Sequence, residues 1–344
     1  MSRSRPVIFG TGLLALDLLI PPSDSSPTQA FAGGTCGNVL TILGFLGWDA
    51  YPISRLNGDR ASQLVRRDLE LWGINLRYSE QSPSAPTPII VQKIRERPSG
   101  ERVHSFSCNC PYCGSWLPSF RPIRNDSANK LISEWTVPDV FFFDRVSPGI
   151  LTLASEAEKS GSLIVFEPSA KAEPRHFDEA LRVSHIVKYS SQRFPQTFDA
   201  LGKSENVVVE IQTRGTEGFQ FRVRNVNEYR SWQHRPAISV GKALDTAGSG
   251  DWFTAGLIAE LGRSLNNKSL PTRKDIDRSL RTASAYAAWN CLFEGPRGGM
   301  YHVHKRQFLA QTTRLIEGQM KREPRQLQDT SILDPLPACP ACAA

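Results

Sequence analysis

The chain has 344 residues, of which 40% are hydrophobic and 22% charged, and this is enough for one large core or two modest ones in a globular protein. No stretch approaches the roughly 20 uninterrupted apolar residues of a membrane span, and the N-terminal run breaks at Gly10, Gly12 and Asp17 before a signal-peptide pattern is complete, so we expect a cytoplasmic protein that does not bind membranes. The formal net charge of +7 comes from basic residues scattered among acidic ones, which predicts a solvated surface rather than a nucleic-acid partner.

Short apolar runs alternate with helical patterns along most of the chain. Runs rich in Val, Ile and Phe predict buried strands: VIFGTG from Val7, VFFFD from Val140, SLIVFEP from Ser162, HIVKYS from His185 and NVVVEIQ from Asn206. Apolar residues spaced by three and four, followed by a glycine, predict helices in GNVLTILGFLG, ASQLVRRDLELWG and PGILTLASEAEKSG. This alternation predicts an α/β fold of three layers, α/β/α, in which helices cover both faces of a mostly parallel central sheet.

Two stretches, 13–34 and 86–118, interrupt this alternation. In the second, TPIIVQKI and ERVHSFSC are predicted to be extended arms joined by the turn RERPSG. We predict that both stretches form a small β-rich lid on a core made of residues 1–12, 35–85 and 119–321. The remainder, 322–344, is rich in proline and polar residues and predicts a linker that ends in a cysteine knuckle.

The segment ALDTAGSGDWFTAGL, residues 243–257, places small residues just before an apolar run typical of a helix. If the helix begins near Ser249 or Gly250, the amides of Gly248, Ser249 and Gly250 are free to bind an anion such as phosphate. A carboxylate beside such a turn is a poor anion ligand, so Asp251 is predicted to accept a proton from an attacking hydroxyl. The alternative from these residues alone is that Asp251 caps the helix and the glycines form a tight turn.

This segment resembles the C-terminal signature of the ribokinase-like carbohydrate kinases, the PfkB family, although Ser249 stands where alanine is usual. FAGGTCGNVLTILGFLGWDAYPISRLNGD resembles the N-terminal signature of the family. IQTRGTEG, from Ile211, resembles the strand and turn beside its nucleotide. In order and spacing, the resemblance extends from about residue 7 to about residue 310.

The resemblance implies a role for each matching residue. Asp251 is implied as the catalytic base, with the Gly248, Ser249 and Gly250 amides as the anion hole for the γ-phosphate. Binding of the acceptor's hydroxyls is implied for Asp17, Gly33, Gly34 and Asn38; binding of ATP is implied for Thr213, Gly215, Gly218 and, beside the adenine, Ser284. Without the family context, Asp17 would be interpreted as a polar strand end and Asn38 as a helix N-cap.

One feature of the family is missing. The family's N-x-x-E motif, whose glutamate organises magnesium and phosphates through water, is replaced here by Ser190 and Arg193. Arginine cannot bind a metal, although it can hold a phosphate. Glu167 is a candidate substitute for magnesium, with a solvated strand end as the alternative. Lys171 or Lys188 would supply positive charge near the nucleotide.

Five of the seven cysteines lie in two tight groups, CNCPYCG and CPAC. Cys110, Cys113, Cys339 and Cys342 are predicted to bind a structural zinc ion that closes the tail onto the lid, with Cys108 and His104 as spare ligands. A redox CxxC normally begins a helix, and the prolines of GSWLPSFRP argue against one. Dispersed reduced thiols are the remaining alternative, and the cysteines could also pair across a homodimer formed through the lid.

These observations predict an ATP-dependent and magnesium-dependent kinase that phosphorylates a hydroxyl of a small sugar or sugar-like acceptor. A nucleoside is the second acceptor class, for which Phe31 is the one aromatic residue near the expected place. A ligand-sensing or scaffold protein of the same fold is a further alternative, favoured by Ser190 and Arg193 and disfavoured by Asp251. Nucleic-acid binding is disfavoured because ACPACAA carries no basic or aromatic residue.

Overall fold

The computed structural model of the protein describes residues 5–20, 28–96, 102–170, 172–194, 199–241, 243–264 and 271–319. Its strands are β1 (Val7–Thr11), β2 (Ala15–Ile20), β3 (Gln29–Gly33), β4 (Asp49–Leu56), β5 (Ser79–Gln81), β6 (Ile89–Glu96), β7 (Arg102–Ser107), β8 (Val140–Phe143), β9 (Leu163–Phe166), β10 (Ile186–Ser190), β11 (Val209–Thr213), β12 (Phe219–Val223) and β13 (Gln233–Arg235). Its helices are α1 (Thr35–Leu46), α2 (Arg60–Leu71), α3 (Asn125–Ile132), α4 (Pro148–Lys159), α5 (Pro174–Val183), α6 (Ala200–Lys203), α7 (Ser249–Ser264), α8 (Arg273–Asn290), α9 (Gly298–His302) and α10 (Lys305–Ile316).

The larger sheet has the strand order β13-β12-β11-β10-β9-β8-β1-β4-β5. In this order, all neighbouring strands from β11 to β5 are parallel. Strand β12 is antiparallel to both of its neighbours, β11 and β13. Helices connect most of the parallel strands, as such connections require. The carboxyl ends of β1, β8, β9, β10 and β11 therefore meet at one edge of the sheet.

Consecutive residues of β8 pack into opposite layers, as expected for a strand buried on both faces. Phe142 belongs to a core cluster with residues of α1, α7 and α8. Phe141 and Phe143 belong to a second cluster with residues of α4 and α5. Helices thus cover both faces of the sheet, and the predicted three-layer α/β/α architecture is confirmed.

A smaller sheet has the strand order β3-β2-β6-β7. Its strands fall within the ranges 13–34 and 86–118 that were predicted as the lid, whereas the turn RERPSG extends beyond the described residues. Three residues separate β1 from β2, and one residue separates β3 from α1. The lid is therefore attached at the carboxyl edge of the larger sheet, while the exact division of the chain into domains stays a prediction.

Helix α7 is apolar on most of its surface and is buried almost throughout, as expected for a helix without a polar face. It packs against α1 and α8, and a Cβ at Gly256 would come within 2.9 Å of the Ala283 Cα, so the contact with α8 is close. Helix α7 is therefore packed closely against α8 and is also in contact with α1. No helix in the described ranges is long and apolar enough to cross a membrane.

Candidate active site

The small-residue turn at the start of α7 has the predicted position. Helix α7 begins at Ser249, and Asp251 lies in its first turn. Gly248 has a φ of +72°, and a Cβ there would meet the Pro296 carbonyl oxygen at 2.3 Å, so only glycine fits. The expectation that all three amides are free is wrong at Ser249, because its N–H donates to the Thr246 carbonyl at 3.2 Å within the tight turn.

The loop at 290–297 fixes this turn in place. The buried Asp245 carboxylate accepts from the Ala247 amide and from the Gly295 amide, each at 2.7 Å. The indole nitrogen of Trp252 donates to the Pro296 carbonyl at 3.1 Å. These contacts leave the glycine turn little freedom, and the first aspartate of the motif acts as a structural clamp.

The Asp251 carboxylate is held by an amide from another helix. Oδ2 of Asp251 accepts from Nδ2 of Asn38, in the first turn of α1, at 2.7 Å. Burial raises the pKa of Asp251 to about 7, helped by the nearby Glu167 carboxylate and opposed by the Asn38 hydrogen bond and by the charges of Lys188 and Arg193. A carboxyl group with a pKa near neutrality is well matched to general base work at physiological pH.

A buried ion pair lies beside Gly250 at the start of α7. Nζ of Lys188 is 2.5 Å from Oε1 of Glu167 and 3.0 Å from the Gly250 carbonyl oxygen. Oε2 of Glu167 accepts from the Thr254 hydroxyl at 2.6 Å. The interpretation of Glu167 as a solvated strand end is therefore wrong, and direct contact with magnesium would have to displace one of these partners.

Asp17 lies inside β2 rather than at a strand end, and its side chain is 8% exposed. Its carboxylate covers Gly33, where a Cβ would come 2.0 Å from Oδ2. Burial raises the pKa of Asp17 to about 7, opposed by the charge of Arg297 and by a hydrogen bond from the Gly34 amide. Oδ1 of Asp17 is buried without a hydrogen-bond partner among the described residues.

The N-cap interpretation of Asn38 is also wrong, since Gly34 is the N-cap of α1.

The residues predicted to bind ATP lie at the ends of neighbouring elements. Thr213 ends β11 and pairs with Ser190 at the end of β10. Gly215 and Gly218 form the next turn with φ of +58° and +94°, and a Cβ at Gly218 would meet the Arg235 carbonyl oxygen at 2.2 Å. Ser284 lies half-buried on α8.

The segment around Cys110 and Cys113 forms a tight turn. Cys110 is buried, and its sulfur accepts from the Tyr112 amide at 3.4 Å. The Gly114 amide donates to the Cys110 carbonyl at 3.0 Å, and no helix follows. Within the described ranges, no three His, Cys, Asp or Glu side chains form a group able to hold a metal. Cys339, Cys342, Lys171 and the His104 side chain lie outside the described part of the structure, so the zinc site stays a prediction.

Sequence reasoning missed two charged residues that line this site. Arg297, 2% exposed, donates from Nε to Oδ1 of Asn38 at 3.1 Å and from Nη2 to Oδ2 of Asp68 at 2.7 Å. Asp68 lies on α2 and belongs to the basic and acidic pattern of an ordinary amphipathic helix. No motif links the two residues, which are 229 positions apart in the sequence.

The glycine turn and Asp251 thus lie at the carboxyl edge of a parallel sheet, which is where open α/β sheets bind their ligands. Residues 149–301 match the family model for pfkB family carbohydrate kinases, and this match supports a carbohydrate kinase domain in that part of the chain.

Relatives of the chain agree with this assignment. It is 25% identical over 269 residues to an ATP-dependent ribose-1-phosphate kinase from Halopiger xanaduensis, covering 77% of this chain and 82% of that protein. Together with the family match, this homologue supports a phosphotransferase that acts on a sugar hydroxyl.

Solved structures with low sequence identity share the fold. Arabidopsis thaliana ribokinase complexed with ribose and ATP is similar with a TM-score of 0.65 and 16% identity, covering 91% of this chain and 99% of that one. Burkholderia thailandensis nucleoside kinase in complex with inosine is similar with a TM-score of 0.64 and 16% identity, covering 92% and 100%. The protein therefore has a ribokinase-like fold.

The raised pKa of Asp251 makes a prediction about stability. The folded state binds this proton more tightly than an unfolded aspartate with a pKa of about 3.9, so the associated stability is present at low pH and is lost as the pH rises to about 7. Asp251→Asn removes the titration. We compare the free energy of unfolding of the variant minus that of the wild type. This difference should be more positive at pH 8 than at pH 5.5, by about 1 to 2 kcal/mol.

Urea unfolding at the two pH values measures this difference. Asp126→Asn, at an exposed position on α3, is the matched control and should show no such growth with pH. A difference for Asp251→Asn that stays constant between pH 5.5 and pH 8 would contradict a carboxyl group with a raised pKa in the folded protein.

Proposed function

We propose that the protein is an ATP-dependent kinase that transfers the γ-phosphate to a hydroxyl of a small sugar or sugar-like acceptor, with Asp251 as general base. The observation that carries the proposal is the Asp251 carboxylate, with a pKa of about 7, held by Asn38 in the first turn of α7 directly after the glycine turn. A base and an anion-binding turn so close together suit the attack of a hydroxyl on phosphorus.

The γ-phosphate would lie against the start of α7. The Gly248 and Gly250 amides and the positive end of the helix dipole favour a phosphate oxygen there, while the Ser249 amide would first have to leave Thr246. Lys188 adds positive charge beneath Gly250. Magnesium would arrive with the nucleotide and neutralise phosphate oxygens, and Glu167, with both oxygens engaged, would act on it only through water.

The acceptor would bind between the lid and α1. Oδ1 of Asp17 is a buried acceptor without a partner among the described residues, and the Gly33 and Gly34 backbone lies directly beneath the carboxylate. A sugar hydroxyl can donate to Asp17 and accept from the amide of Asn38. Phe31 gives a nucleobase no support, because it is buried and packs on Tyr301 at 5.3 Å between ring centroids. The arrangement favours a sugar over a nucleoside.

The nucleotide would extend from the glycine turn toward α8. Thr213, Gly215 and Gly218 would lie along that path, at the end of β11 and in the turn that follows it. A groove of about 390 Å³, lined by Ile238, Ser239, Arg281, Leu315, Ile316 and Gly318, is within the range of small-molecule sites. Arg281 and Ser284 are three residues apart on α8 and so lie on one face of it. This groove is our candidate for the adenine end of ATP.

We expect ADP formation from ATP and magnesium with one acceptor from a panel of pentoses, hexoses, sugar phosphates, sugar acids and nucleosides. Asp251→Asn should lower kcat by about 10²- to 10⁴-fold, the usual cost of losing a general base. A coupled assay for ADP measures both, and Asp126→Asn on the surface of α3 serves as the matched control.

Two results would contradict the proposal. Turnover that Asp251→Asn leaves unchanged would exclude Asp251 as the base. A folded protein that binds a sugar or ATP but transfers no phosphate to any acceptor would favour a ligand-sensing protein instead.

The replacement of the family's N-x-x-E motif leads to a second proposal, that Arg193 holds a phosphate oxygen directly. Arg193 follows β10 at the carboxyl edge of the sheet, and its charge is near enough to lower the pKa of Asp251. Its backbone amide bonds to the Ser190 carbonyl at 3.1 Å, which turns the chain at the strand end. The Arg193 guanidinium would supply part of the positive charge that magnesium supplies in proteins with the N-x-x-E motif.

We expect Arg193→Met to lower kcat by roughly tenfold or more, because a donor to the transferring phosphate is lost. The double variant S190N/R193E, which restores the family's motif, should bring kcat to half its maximum at a lower free magnesium concentration. Arg175→Met, on an exposed arginine of α5 paired with Glu179, is the control and should leave both properties unchanged. Equal magnesium dependence in all four proteins would contradict the proposal.

For the cysteines we propose a structural zinc ion bound by Cys110, Cys113, Cys339 and Cys342. The support is the local geometry at Cys110, where a backbone amide already donates to the sulfur, as in zinc knuckles. The exposed Phe106, Tyr112 and Trp116 lie close by in the lid sequence and would suit a lid-to-lid homodimer. The zinc ion could then join cysteines within one chain or across two.

Metal analysis of the purified protein should find about one zinc ion per chain, and Cys113→Ser or Cys339→Ser should each abolish it. Cys36→Ser, at a buried position on α1, is the control and should retain the metal. Light scattering before and after a chelator tells whether the metal bridges two chains, since only then would the mass fall by half. Protein free of zinc under reducing conditions would support dispersed thiols.

A further inference from the structure

Arg297 is a buried arginine that joins the lid, α1 and α2. It follows the loop after α8 and directly precedes α9. Its Nη2 donates to the Ala32 carbonyl and, at 2.7 Å, to Oδ2 of Asp68, while its Nε donates to Oδ1 of Asn38 at 3.1 Å. A single guanidinium therefore contacts a strand of the lid, the helix that bears Asn38 and the helix packed beside them.

The contact with Arg297 determines which way the Asn38 amide points. Arginine is only a donor, so the group facing Nε must be the amide oxygen of Asn38. The amide nitrogen is then directed to the other side, where it donates to Oδ2 of Asp251 at 2.7 Å. If the amide were flipped, its oxygen would face the carboxylate, and two acceptors would meet without a hydrogen between them.

Arg297 is itself firmly held. Oδ2 of Asp68 also accepts from the Ala32 amide at 2.8 Å, and Oδ1 of Asp68 accepts from the Tyr301 hydroxyl at 2.8 Å. The Arg297 side chain is 1% exposed, so this ion pair lies in the interior, where a planar fork of donors gives strong directional bonds. The network fixes the guanidinium, and through it the Asn38 amide.

We propose that Arg297 is a positioning residue for the catalytic base: it orients the Asn38 amide so that Nδ2 holds Asp251 in its ionised form and in place for proton transfer. This inference rests on the proposed function, because it takes Asp251 as the base. Arg297 contacts the oxygen of the Asn38 amide, whereas Asp251 contacts its nitrogen, so Arg297 would act through Asn38 and not on the substrate.

Several groups act on Asp251 from the elements around it. The Glu167 carboxylate, at the end of β9, disfavours its ionised form, and Lys188 on β10 and Arg193 after it favour that form. The Cys36 thiol on α1 is near as well, and burial raises its pKa well above the usual value, so it stays neutral. Among these described contacts, the Asn38 hydrogen bond is the one made by a side chain that Arg297 contacts directly.

The test compares Arg297→Met with the wild type over pH 5.5 to 9. Loss of a hydrogen bond to a charged group should move the acid limb of the kcat/KM profile to higher pH by about one pH unit. At pH 6.5, kcat/KM should fall roughly tenfold, with recovery toward the wild type at pH 9, while the acceptor KM at pH 9 stays unchanged. Arg297→Lys keeps the charge without the fork, so its profile should lie between the two.

Because Arg297→Met leaves Asp68 buried without its charged partner, the variant can fail to fold. The double variant R297M/D68N removes both charges of the pair and still lacks the donor to Asn38, so the same shift is expected from it. Arg222→Met is the matched control, since Arg222 pairs with the buried Glu210 in a separate network on β11 and β12. It should lower stability without moving the pH profile.

A carboxyl ¹³C titration of Asp251, assigned by comparison with Asp251→Asn, provides a readout that needs no activity. A higher Asp251 pKa in R297M/D68N supports the positioning role even if no acceptor is phosphorylated, in which case only the proposed function fails. An unchanged titration would overturn the inference. So would an unchanged pH profile with a raised acceptor KM, which would instead indicate that Arg297 binds the acceptor directly.

Discussion

The site depends on contacts that favour the ionised form of the Asp251 carboxylate, because burial disfavours that charge. Asp251 lies in the first turn of a helix that is largely buried, near the buried carboxylate of Glu167. Desolvation alone would leave such a group protonated and inactive as a base. The hydrogen bond from Asn38 and the charges of Lys188 and Arg193 oppose this effect. The resulting pKa of about 7 is a balance between large opposing contributions.

The backbone that leads to Asp251 is held in one conformation by close contacts and hydrogen bonds. Gly248 has no room for a side chain against Pro296, and Asp245 ties the turn to the loop at 290–297. That same loop ends in Arg297, which orients Asn38. The glycine turn before α7 and the Asn38 amide that donates to Asp251 are thus held by one short segment. This arrangement gives a physical reason for a rigid site at the edge of an otherwise ordinary α/β sheet.

The fold could be predicted because local pattern and topology agree. Apolar runs such as VFFFD separated by helical periods require a buried parallel sheet, and the structure confirms it. The position of Asp251 in the first turn of α7 also followed from local sequence, since small residues before an apolar run mark a helix start.

Other features were out of reach because their partners are distant in the sequence. Glu167 was interpreted as a magnesium ligand or a solvated strand end, but Lys188 and Thr254 enclose it from two other elements. Asp17 lies in mid-strand, where no local rule predicts a buried carboxylate. The ion pair of Arg297 with Asp68 depends on how the lid, α1 and α2 pack together, and a linear pattern carries no record of that packing.

The most direct test of the central claim is a ³¹P NMR spectrum of the protein incubated with ATP, magnesium and the acceptor that supports ADP formation. The account predicts a new phosphomonoester signal, coupled to protons of the acceptor, that grows in equal amount with ADP and grows about a hundredfold or more slowly with Asp251→Asn. A spectrum that shows only ADP and inorganic phosphate would mean that water is the acceptor. It would contradict a site in which Asp251 directs a sugar hydroxyl onto the γ-phosphate.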